Sequence, residues 1–197
     1  MDHTLDLDRV AKALASSNPR PSSDYDLNPD VRRPSGRVLT PAAVLIGVAN
    51  DNVVLTKRAQ NLKHHGGQIA FPGGKMDTSD ANARATALRE AREEIGLLPQ
   101  HVQVIADLPR HETVSGYTVT PILARVAPEF QPVPEPAEVE EIFCVPLAYL
   151  MQVDHFRVDR HLWNGTWRQY YVISYGKYYI WGATARILKA LADRMGP

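Results

Sequence analysis

The sequence predicts an α/β fold in which a mixed β-sheet is sandwiched between helices. Strand-like segments outnumber helical ones, one amphipathic helix lies in the middle of the chain, and another closes it. The 197 residues are enough for one domain with a sizeable core. We divide the chain into an N-terminal helix with an irregular arm, residues 1–36, and a main domain, residues 37–197.

The charge balance and cysteine content exclude several classes of protein. Lys plus Arg and Asp plus Glu number 22 each, so no overall field attracts nucleic acid or an anionic membrane. The single cysteine, Cys144, excludes an intramolecular disulfide and fits a reducing compartment, and we interpret it as a small buried residue. The acidic N-terminus lacks a hydrophobic run, and no apolar segment reaches the length of a membrane span. We therefore expect a cytoplasmic protein with neither a nucleic-acid nor a membrane partner.

The first helix is predicted by apolar residues at helical spacing between positions 5 and 15. The segment 16–34 is then rich in Pro, Ser, Asp and Asn, which indicates an irregular arm. We interpret helix and arm as a packing or dimer element without chemistry. A homodimer therefore stays open.

The strands are predicted by apolar or alternating runs that turn residues bound. Pro121 lies inside one of these runs and favours an edge position or a bulge. The segments Asn50–Asn52 and Asn164–Gly165 predict hairpin turns. The predicted strands are 38–48, 53–56, 68–71, 102–108, 117–126, 142–145, 155–162, 166–175 and 178–180.

The central helix, from near Asp80 to Gly96, carries the strongest chemical signal. Its Glu90, Glu93 and Glu94 stand three and four residues apart, so the carboxylates share one face. Each such pair of like charges costs roughly 0.2 to 0.5 kcal/mol on an exposed helix. Neighbouring arginines offset this as ordinary surface partners, or a divalent cation does. Hard oxygen ligands on one rigid element suit Mg²⁺ or Mn²⁺, whose preferred substrates carry phosphates.

Two glycines precede this helix and favour the second explanation. Gly73 and Gly74 follow a strand-like run and let the backbone turn tightly and approach a phosphate closely. The combination of glycines, loop, helix and carboxylates predicts a metal site for a phosphate-bearing ligand.

The segment from Gly74 to Leu97 resembles the Nudix box, in which Gly, five residues, Glu and seven residues lead to Arg-Glu, an aliphatic residue, any residue, Glu-Glu, any residue, Gly and an aliphatic residue. The residues in register are Arg89, Glu90, Ala91, Glu93, Glu94, Gly96 and Leu97. Counted back from Arg89, the box glycine falls on Lys75 and its first glutamate on Ala81, so Gly74 and Asp80 fit with one inserted residue. We place that insertion in the loop 75–79 and interpret Asp80 as the helix N-cap.

A second resemblance concerns the substrate. The segment 54–59, followed by Lys63, Gly67 and 71–74, is similar to the motif that marks coenzyme A pyrophosphatases among the Nudix hydrolases. Val54 replaces a leucine of that motif and Lys63 an arginine. The segments 66–75, 116–121, 145–147 and 180–186 are also similar to that subfamily, so the resemblance covers roughly residues 38–191.

The resemblance implies the Nudix fold and a metal-dependent hydrolysis of the diphosphate of coenzyme A or acyl-coenzyme A. The products would be 3',5'-ADP and 4'-phosphopantetheine or its acyl form. The implied catalytic residues are Glu93, Glu90 and Arg89, and the implied ligands of Mg²⁺ or Mn²⁺ are Glu90, Glu93 and Glu94. The implied substrate-binding residues are Arg58, Lys57, Lys63, Gly73 and Gly74.

Roles within this set are predicted as follows. Glu93 is the general base, with a glutamate of 138–141 as the alternative. Arg89 orients the carboxylates rather than contacting substrate. The cationic side chains recognise phosphate, with the 3'-phosphate as one candidate.

Two other functions stay open at this stage. The same box is compatible with another nucleoside diphosphate conjugate, such as NADH, ADP-ribose or a dinucleoside polyphosphate. The inserted residue is compatible with a non-catalytic protein that senses nucleotides or coenzyme A. In each case the partner is a small nucleotide.

Overall fold

A computed structural model describes residues 7–16, 20–62, 65–163 and 165–195. The helices are α1 (Leu7–Ser16), α2 (Ala83–Ile95), α3 (Leu147–Leu150) and α4 (Gly182–Ala192). The strands are β1 (Ser22–Ser23), β2 (Thr40–Ala49), β3 (Asn52–Arg58), β4 (Ile69–Ala70), β5 (Gly73–Lys75), β6 (Val102–Asp107), β7 (His111–Glu112), β8 (Tyr117–Val126), β9 (Val139–Pro146), β10 (Phe156–Trp163), β11 (Thr166–Tyr175) and β12 (Tyr178–Trp181).

The main sheet is mixed, as the sequence predicts. Its centre is a parallel pair, β2 with β8, in register from Thr40 beside Tyr117 to Val48 beside Arg125. Strands β6 and β7 pair antiparallel with β8, whereas β3 and β5 pair antiparallel with β2. Strand β3 also pairs with β4 and β9, and β10, β11 and β12 form a smaller antiparallel sheet.

Alternate residues of β2 enter two different cores, because successive side chains of a strand point to opposite faces. Ala43 and Leu45 pack with the apolar face of α2, whereas Ile46 and Val48 belong to the cluster that includes Leu188 of α4. Helix α1 contributes to this second cluster as well. The sheet therefore lies between helices, and the predicted fold class is confirmed.

The N-cap of helix α2 is Asn82, which corrects the prediction that Asp80 is the N-cap. The Asn82 Oδ1 accepts a hydrogen bond from Ala85 N at 3.0 Å. The helix ends as predicted, because Gly96 adopts the left-handed conformation with φ 71° and its N–H bonds to carbonyls of the last turn. Asp80 lies two residues before the N-cap, and its carboxylate pairs with Arg89.

The position of the inserted residue is corrected too. Gly74 and Asp80 keep the spacing of the family pattern, so the extra residue falls between Asp80 and Arg89 and not in the loop 75–79. The chain accommodates it because α2 starts only at Ala83.

Strand β8 is an interior strand, so the prediction of an edge position for Pro121 is wrong. The Pro121 carbonyl accepts a hydrogen bond from Leu108 N at 2.8 Å, which places its imide nitrogen on the same side of β8. On that side the chain leaves β6 at Asp107 and enters β7 at His111. The missing N–H therefore faces the break between two partner strands.

Two further predictions from local sequence have different outcomes. The turn at Asn50 and Asp51 is confirmed by positive φ angles of 47° and 58°. Cys144 is exposed on β9, so its predicted burial is wrong. Of the second hairpin turn, Asn164 lies outside the described residues. Among the described helices, none is both long and apolar enough to cross a membrane.

The arm is tied to both sheets. Strand β1 pairs in parallel with β7, and His111 lies buried between Ser22 and Asp24, with 3.0 Å from each ring nitrogen to its oxygen partner. Asn28 exchanges two hydrogen bonds with the backbone of Gln169 on β11, at 2.9 and 2.7 Å. The arm therefore packs on the main domain, while the boundary between 36 and 37 stays a prediction.

Candidate active site

Strand β5 lies directly beside α2, and its glycines make this close approach sterically feasible. A Cβ on Gly74 would lie 2.5 Å from Cδ of Glu90, and one on Gly73 would lie 2.4 Å from the carbonyl oxygen of Ala43. Gly73 also has φ 156°, which a residue with a side chain rarely adopts. The two glycines therefore leave room for a carboxylate and for β2. Their predicted contact with a phosphate stays a prediction.

Glu94 is the most deeply buried of the predicted metal ligands, with 1% of its side chain exposed. Its Oε1 accepts a hydrogen bond from Arg58 Nη1 at 3.0 Å, and its Oε2 accepts one from Gly73 N at 3.1 Å. Burial nevertheless dominates and raises the pKa of Glu94 to about 7. The charged form of this carboxylate is therefore short of cationic partners.

Glu90 shares this environment, with 14% of its side chain exposed. Burial raises its pKa, and the charges of Glu93 and Glu138 act in the same direction. An ion pair with Arg89, 2.9 Å from Nη1 to Oε1, opposes the shift. A half-buried carboxylate beside other carboxylates is a chemically suitable cation ligand.

Arg89 contacts acidic side chains on both sides. Its Nε and Nη2 donate to the two oxygens of Asp80 at 3.0 and 2.9 Å, and Nη2 also donates to the Lys75 carbonyl at 3.1 Å. Its Nη1 lies 2.8 Å from Glu93 Oε2, besides the contact with Glu90. The paired guanidinium lowers the pKa of Asp80 to about 2. Arg89 thus connects the loop before α2 with two of the predicted ligands.

Glu93 differs from its two neighbours on α2. Its side chain is 53% exposed, and it contacts Arg89 one turn earlier. This carboxylate is therefore the most accessible to a solvent molecule or ligand above the helix.

The alternative bases in 138–141 fall into two groups. The charge of Glu138 raises the pKa of both Glu90 and Glu94, and its carbonyl accepts a hydrogen bond at 2.9 Å from Ala59 N, next to Arg58. Glu140 and Glu141 ion-pair with lysines instead. Of the glutamates in 138–141, Glu138 is therefore the one whose charge acts on the buried α2 carboxylates.

Each side chain predicted to bind phosphate either forms an ion pair with a glutamate or lies outside the described residues. Arg58 pairs with Glu94, and Lys57 Nζ lies 2.6 Å from Glu140 Oε1. Lys63 and the neighbouring His64 lie outside the described residues.

The donor chemistry suits a divalent cation, because several carboxylates crowd together and two are buried with raised pKa values. In the arrangement described, arginines contact each of the three α2 carboxylates. Across the described ranges, no three Asp, Glu, His or Cys side chains are grouped as a metal site. Binding a metal would therefore require the glutamates to exchange arginine contacts for metal contacts.

A cavity of about 410 Å³ opens beside this site. Arg58 and the glycines of β5 line it on the α2 side. Its other walls are the arm, the β10–β11 hairpin and the start of α4, and its lining is mainly apolar. Its size falls within the range of small-molecule sites, about 300 to 1,000 Å³.

Sequence reasoning missed several residues of this cavity. Asn28 belongs to the arm to which we assigned no chemistry, and Arg168 lies on the predicted strand 166–175, to which we assigned no function. Arg186 falls in the segment 180–186 that resembles the subfamily, but the pattern alone gave it no role. Only Arg186 has a local sequence signal, a charged side chain in a mainly apolar helix, whereas Asn28 and Arg168 lie in polar surroundings.

Comparisons with known proteins show what this chain is similar to. The family model described as the NUDIX domain matches residues 38–163. The uncharacterized Nudix hydrolase NudL of Salmonella paratyphi B and that of Salmonella newport are each 39% identical over 158 residues, or 79% of this chain and 82% of theirs. A solved Nudix hydrolase from M. smegmatis, RenU, has a TM-score of 0.45 and 24% identity over 64% of this chain and 79% of its own. A C. elegans Ap4A hydrolase binary complex has a TM-score of 0.47 and 17% identity over 56% of this chain and 82% of its own.

Proposed function

This chain belongs to the Nudix hydrolase family, and from that premise we propose that it hydrolyses the diphosphate bond of coenzyme A or acyl-coenzyme A. The mixed sheet between helices is the Nudix fold that the sequence predicts. Members of the family act on nucleoside diphosphate derivatives. Coenzyme A or acyl-coenzyme A is the substrate that we propose within this class.

The observation that carries the proposal is the junction between the carboxylates and the cavity. Gly73 donates a backbone hydrogen bond to Glu94 and also lines the cavity. Arg58 likewise bonds to Glu94 and lines the cavity. These residues belong to the segments that are similar to coenzyme A pyrophosphatases. A diphosphate at this junction would lie beside the glutamates, with the rest of the substrate in the cavity.

Nudix hydrolases generally use divalent cations such as Mg²⁺ or Mn²⁺. Glu90, Glu93 and Glu94 would hold the cation, which supplies positive charge to the diphosphate and lowers the pKa of water. Metal binding would free Arg58 from Glu94 and make it available to hold phosphate oxygens. Arg89 would stay paired with Asp80 through Nε and Nη2 and would keep its role of orienting the ligands.

The reaction itself is a transfer of a phosphoryl group to water. A water oxygen bonds to one phosphorus of the diphosphate, and the bond from that phosphorus to the bridging oxygen breaks. Glu93, the exposed carboxylate, accepts the proton that the water loses. Glu138 is the second candidate for this proton because its charge reaches the same carboxylates.

The test is incubation with coenzyme A, NADH, ADP-ribose and diadenosine polyphosphates, with and without Mg²⁺, and identification of products by mass spectrometry. We expect coenzyme A to yield 3',5'-ADP and 4'-phosphopantetheine only when the metal is present. Consumption of NADH or ADP-ribose alone would refute the assignment of substrate. Ligand-induced stabilisation without any turnover would instead identify a sensor.

A cytoplasmic location belongs to the same proposal. It is supported by the cysteine content, which fits a reducing compartment. Fractionation of cells that express the full chain tests it. A homodimer stays a prediction that sedimentation of the purified protein decides.

A further inference from the structure

Two arginines of the cavity have buried nitrogen atoms without partners. Arg168 on β11 and Arg186 on α4 both line the cavity. Within the described part of the chain, Nε and Nη1 of Arg168 and Nε of Arg186 are buried and donate no hydrogen bond. Arg186 is partly neutralised, because its Nη2 lies 2.7 Å from Asp26 Oδ2. Buried polar groups are nearly always paired in folded proteins, so these atoms require an explanation.

Arg168 shares its aromatic neighbour with two other arginines, of which Arg33 is paired with Glu112 at 3.2 Å. The Arg168 guanidinium lies 5.5 Å from the ring centre of Tyr25, and that of Arg33 lies 5.2 Å from the same ring. The Tyr25 hydroxyl accepts a hydrogen bond from Arg37 Nη1 at 3.4 Å. Among the described residues, Arg168 forms no ion pair with a carboxylate. A guanidinium that packs against an aromatic ring and has no carboxylate partner can bind an anionic ligand.

The start of α4 is another feature of this cavity that favours an anion. Gly182 and Ala183 line the cavity, and the N-cap residue Trp181 provides no side-chain hydrogen bond to the first turn. The first N–H groups of a helix need acceptors, and the helix dipole makes this end positive. A phosphate oxygen satisfies both requirements.

Aromatic rings lie in the same part of the cavity. Tyr170 and Trp181 have ring centres 5.2 Å apart, and Tyr171 contacts the Arg186 guanidinium at 5.6 Å. All three aromatic side chains line the cavity. Flat apolar surfaces beside cationic groups suit a nucleoside that carries a phosphate.

We propose that Arg168, Arg186 and the N-terminus of α4 bind a phosphate monoester that the substrate carries apart from its cleaved diphosphate. This inference rests on the proposed function, and in coenzyme A the group is the 3'-phosphate. Of the cations predicted from sequence to recognise phosphate, Lys57 and Arg58 are paired with Glu140 and Glu94, and Lys63 lies outside the described residues. The phosphate oxygens supply the acceptors that the buried guanidinium nitrogens lack.

The binding test uses adenosine 3',5'-bisphosphate and AMP, which differ by the phosphate in question. Calorimetry on the full chain should show that the bisphosphate binds at least about tenfold more tightly, because a charged hydrogen-bonded pair forms. Arg168→Gln should abolish this preference, and Arg168→Lys should keep part of it. The matched control is Arg160→Gln on β10, whose guanidinium stacks on Trp167, 5.0 Å from the ring centre. The control should behave like the parent.

Binding measurements on the unsubstituted protein alone can overturn the inference. Equal affinity for the two nucleotides would overturn it, even if an Arg168 variant failed to fold. A preference that survives Arg168→Gln in a folded variant would overturn it as well. Circular dichroism establishes folding in each case.

A kinetic arm separates this inference from the proposed function. The ratio of kcat/KM for coenzyme A to that for dephospho-coenzyme A should fall about tenfold or more in Arg168→Gln, through loss of coenzyme A binding. If coenzyme A is hydrolysed but the ratio is unchanged, the proposed function stands and the inference fails. If coenzyme A is not hydrolysed but bisphosphate binding depends on Arg168, the inference stands and the proposed function fails.

Discussion

Arg89 on the central helix holds both carboxylate oxygens of Asp80, nine residues earlier, through its Nε and Nη2. The remaining nitrogen, Nη1, contacts Glu90 and Glu93. The loop before α2 is therefore fixed to the same guanidinium that contacts two predicted metal ligands. Asp80 acts on these ligands through Arg89.

Asp80→Asn should weaken this connection. We expect the free energy of unfolding to fall by about 1 to 3 kcal/mol, because a charged partner of Arg89 is lost. Turnover should fall about tenfold, because Arg89 then holds Glu90 and Glu93 less firmly. Chemical denaturation and steady-state kinetics measure these effects. The matched control is Asp107→Asn, which breaks the exposed pair with Arg84 and should cost less than about 1 kcal/mol. Equal losses in both variants would contradict the role of Asp80.

Glu93→Gln should separate catalysis from stability. We expect kcat to fall by about 10²- to 10⁴-fold, since this carboxylate is proposed to accept the proton. Stability should change by less than about 1 kcal/mol, because the Glu93 side chain is 53% exposed. The check is single-turnover kinetics together with thermal unfolding. Full activity in this variant would move the role of base to Glu138, and the matching Glu138→Gln variant would then be the inactive one.

Gly74→Ala should displace Glu90. The added methyl group would lie 2.5 Å from Cδ and 2.6 Å from both carboxylate oxygens of Glu90. A shift of this ligand should lower kcat/KM about 10²-fold. Gly176→Ala is the control, because nothing lies within 4 Å of its new Cβ while its φ of 54° still strains the backbone. It should cost stability and leave turnover unchanged. Normal turnover in Gly74→Ala would show that Glu90 need not occupy this position.

The stability of the metal-free protein should fall as the pH rises from about 4.5 to 7. Burial raises the pKa of Glu94 from 4.5 to about 7, so the folded state keeps a proton that the unfolded chain releases. The stabilisation is complete below pH 4.5 and is lost as the pH rises through 7, which amounts to about 2 to 3 kcal/mol. Denaturant unfolding in EDTA between pH 4.5 and 8 measures it.

Glu94→Gln should remove most of this dependence on pH. Burial also raises the pKa of Glu90, so a smaller decrease of the same sign should remain in the variant. Identical pH profiles for parent and variant would show that Glu94 titrates near its ordinary pKa.

The sheet and the central helix were predictable because their signals are local. The apolar run of β2, the positive-φ turn at Asn50 and the glycine stop at Gly96 lie within a few residues of the elements they define. The shared face of Glu90, Glu93 and Glu94 follows from the helical period alone. These features can be predicted from the amino-acid sequence alone.

Other parts of the site depend on relationships that local patterns do not contain. Asp80 and Asn82 are both good N-cap residues, and only the observed start of α2 decides between them. Pro121 is tolerated inside the sheet because two other strands part beside it. Arg168 reaches the cavity because β11 contacts an arm 141 residues earlier, and no spacing rule encodes that distance.

The pair Asn28 and Gln169 also determines when the cavity can be completed during protein synthesis. Asn28 is synthesised before its hydrogen-bonding partner Gln169, which follows 141 residues later. Closing a loop of this length has an entropic cost that is offset only by the contacts of the complete sheet. Such non-local contacts form slowly. The part of the arm around Asn28 thus reaches its final place only after β11 has been made. Until then the cavity lacks one wall.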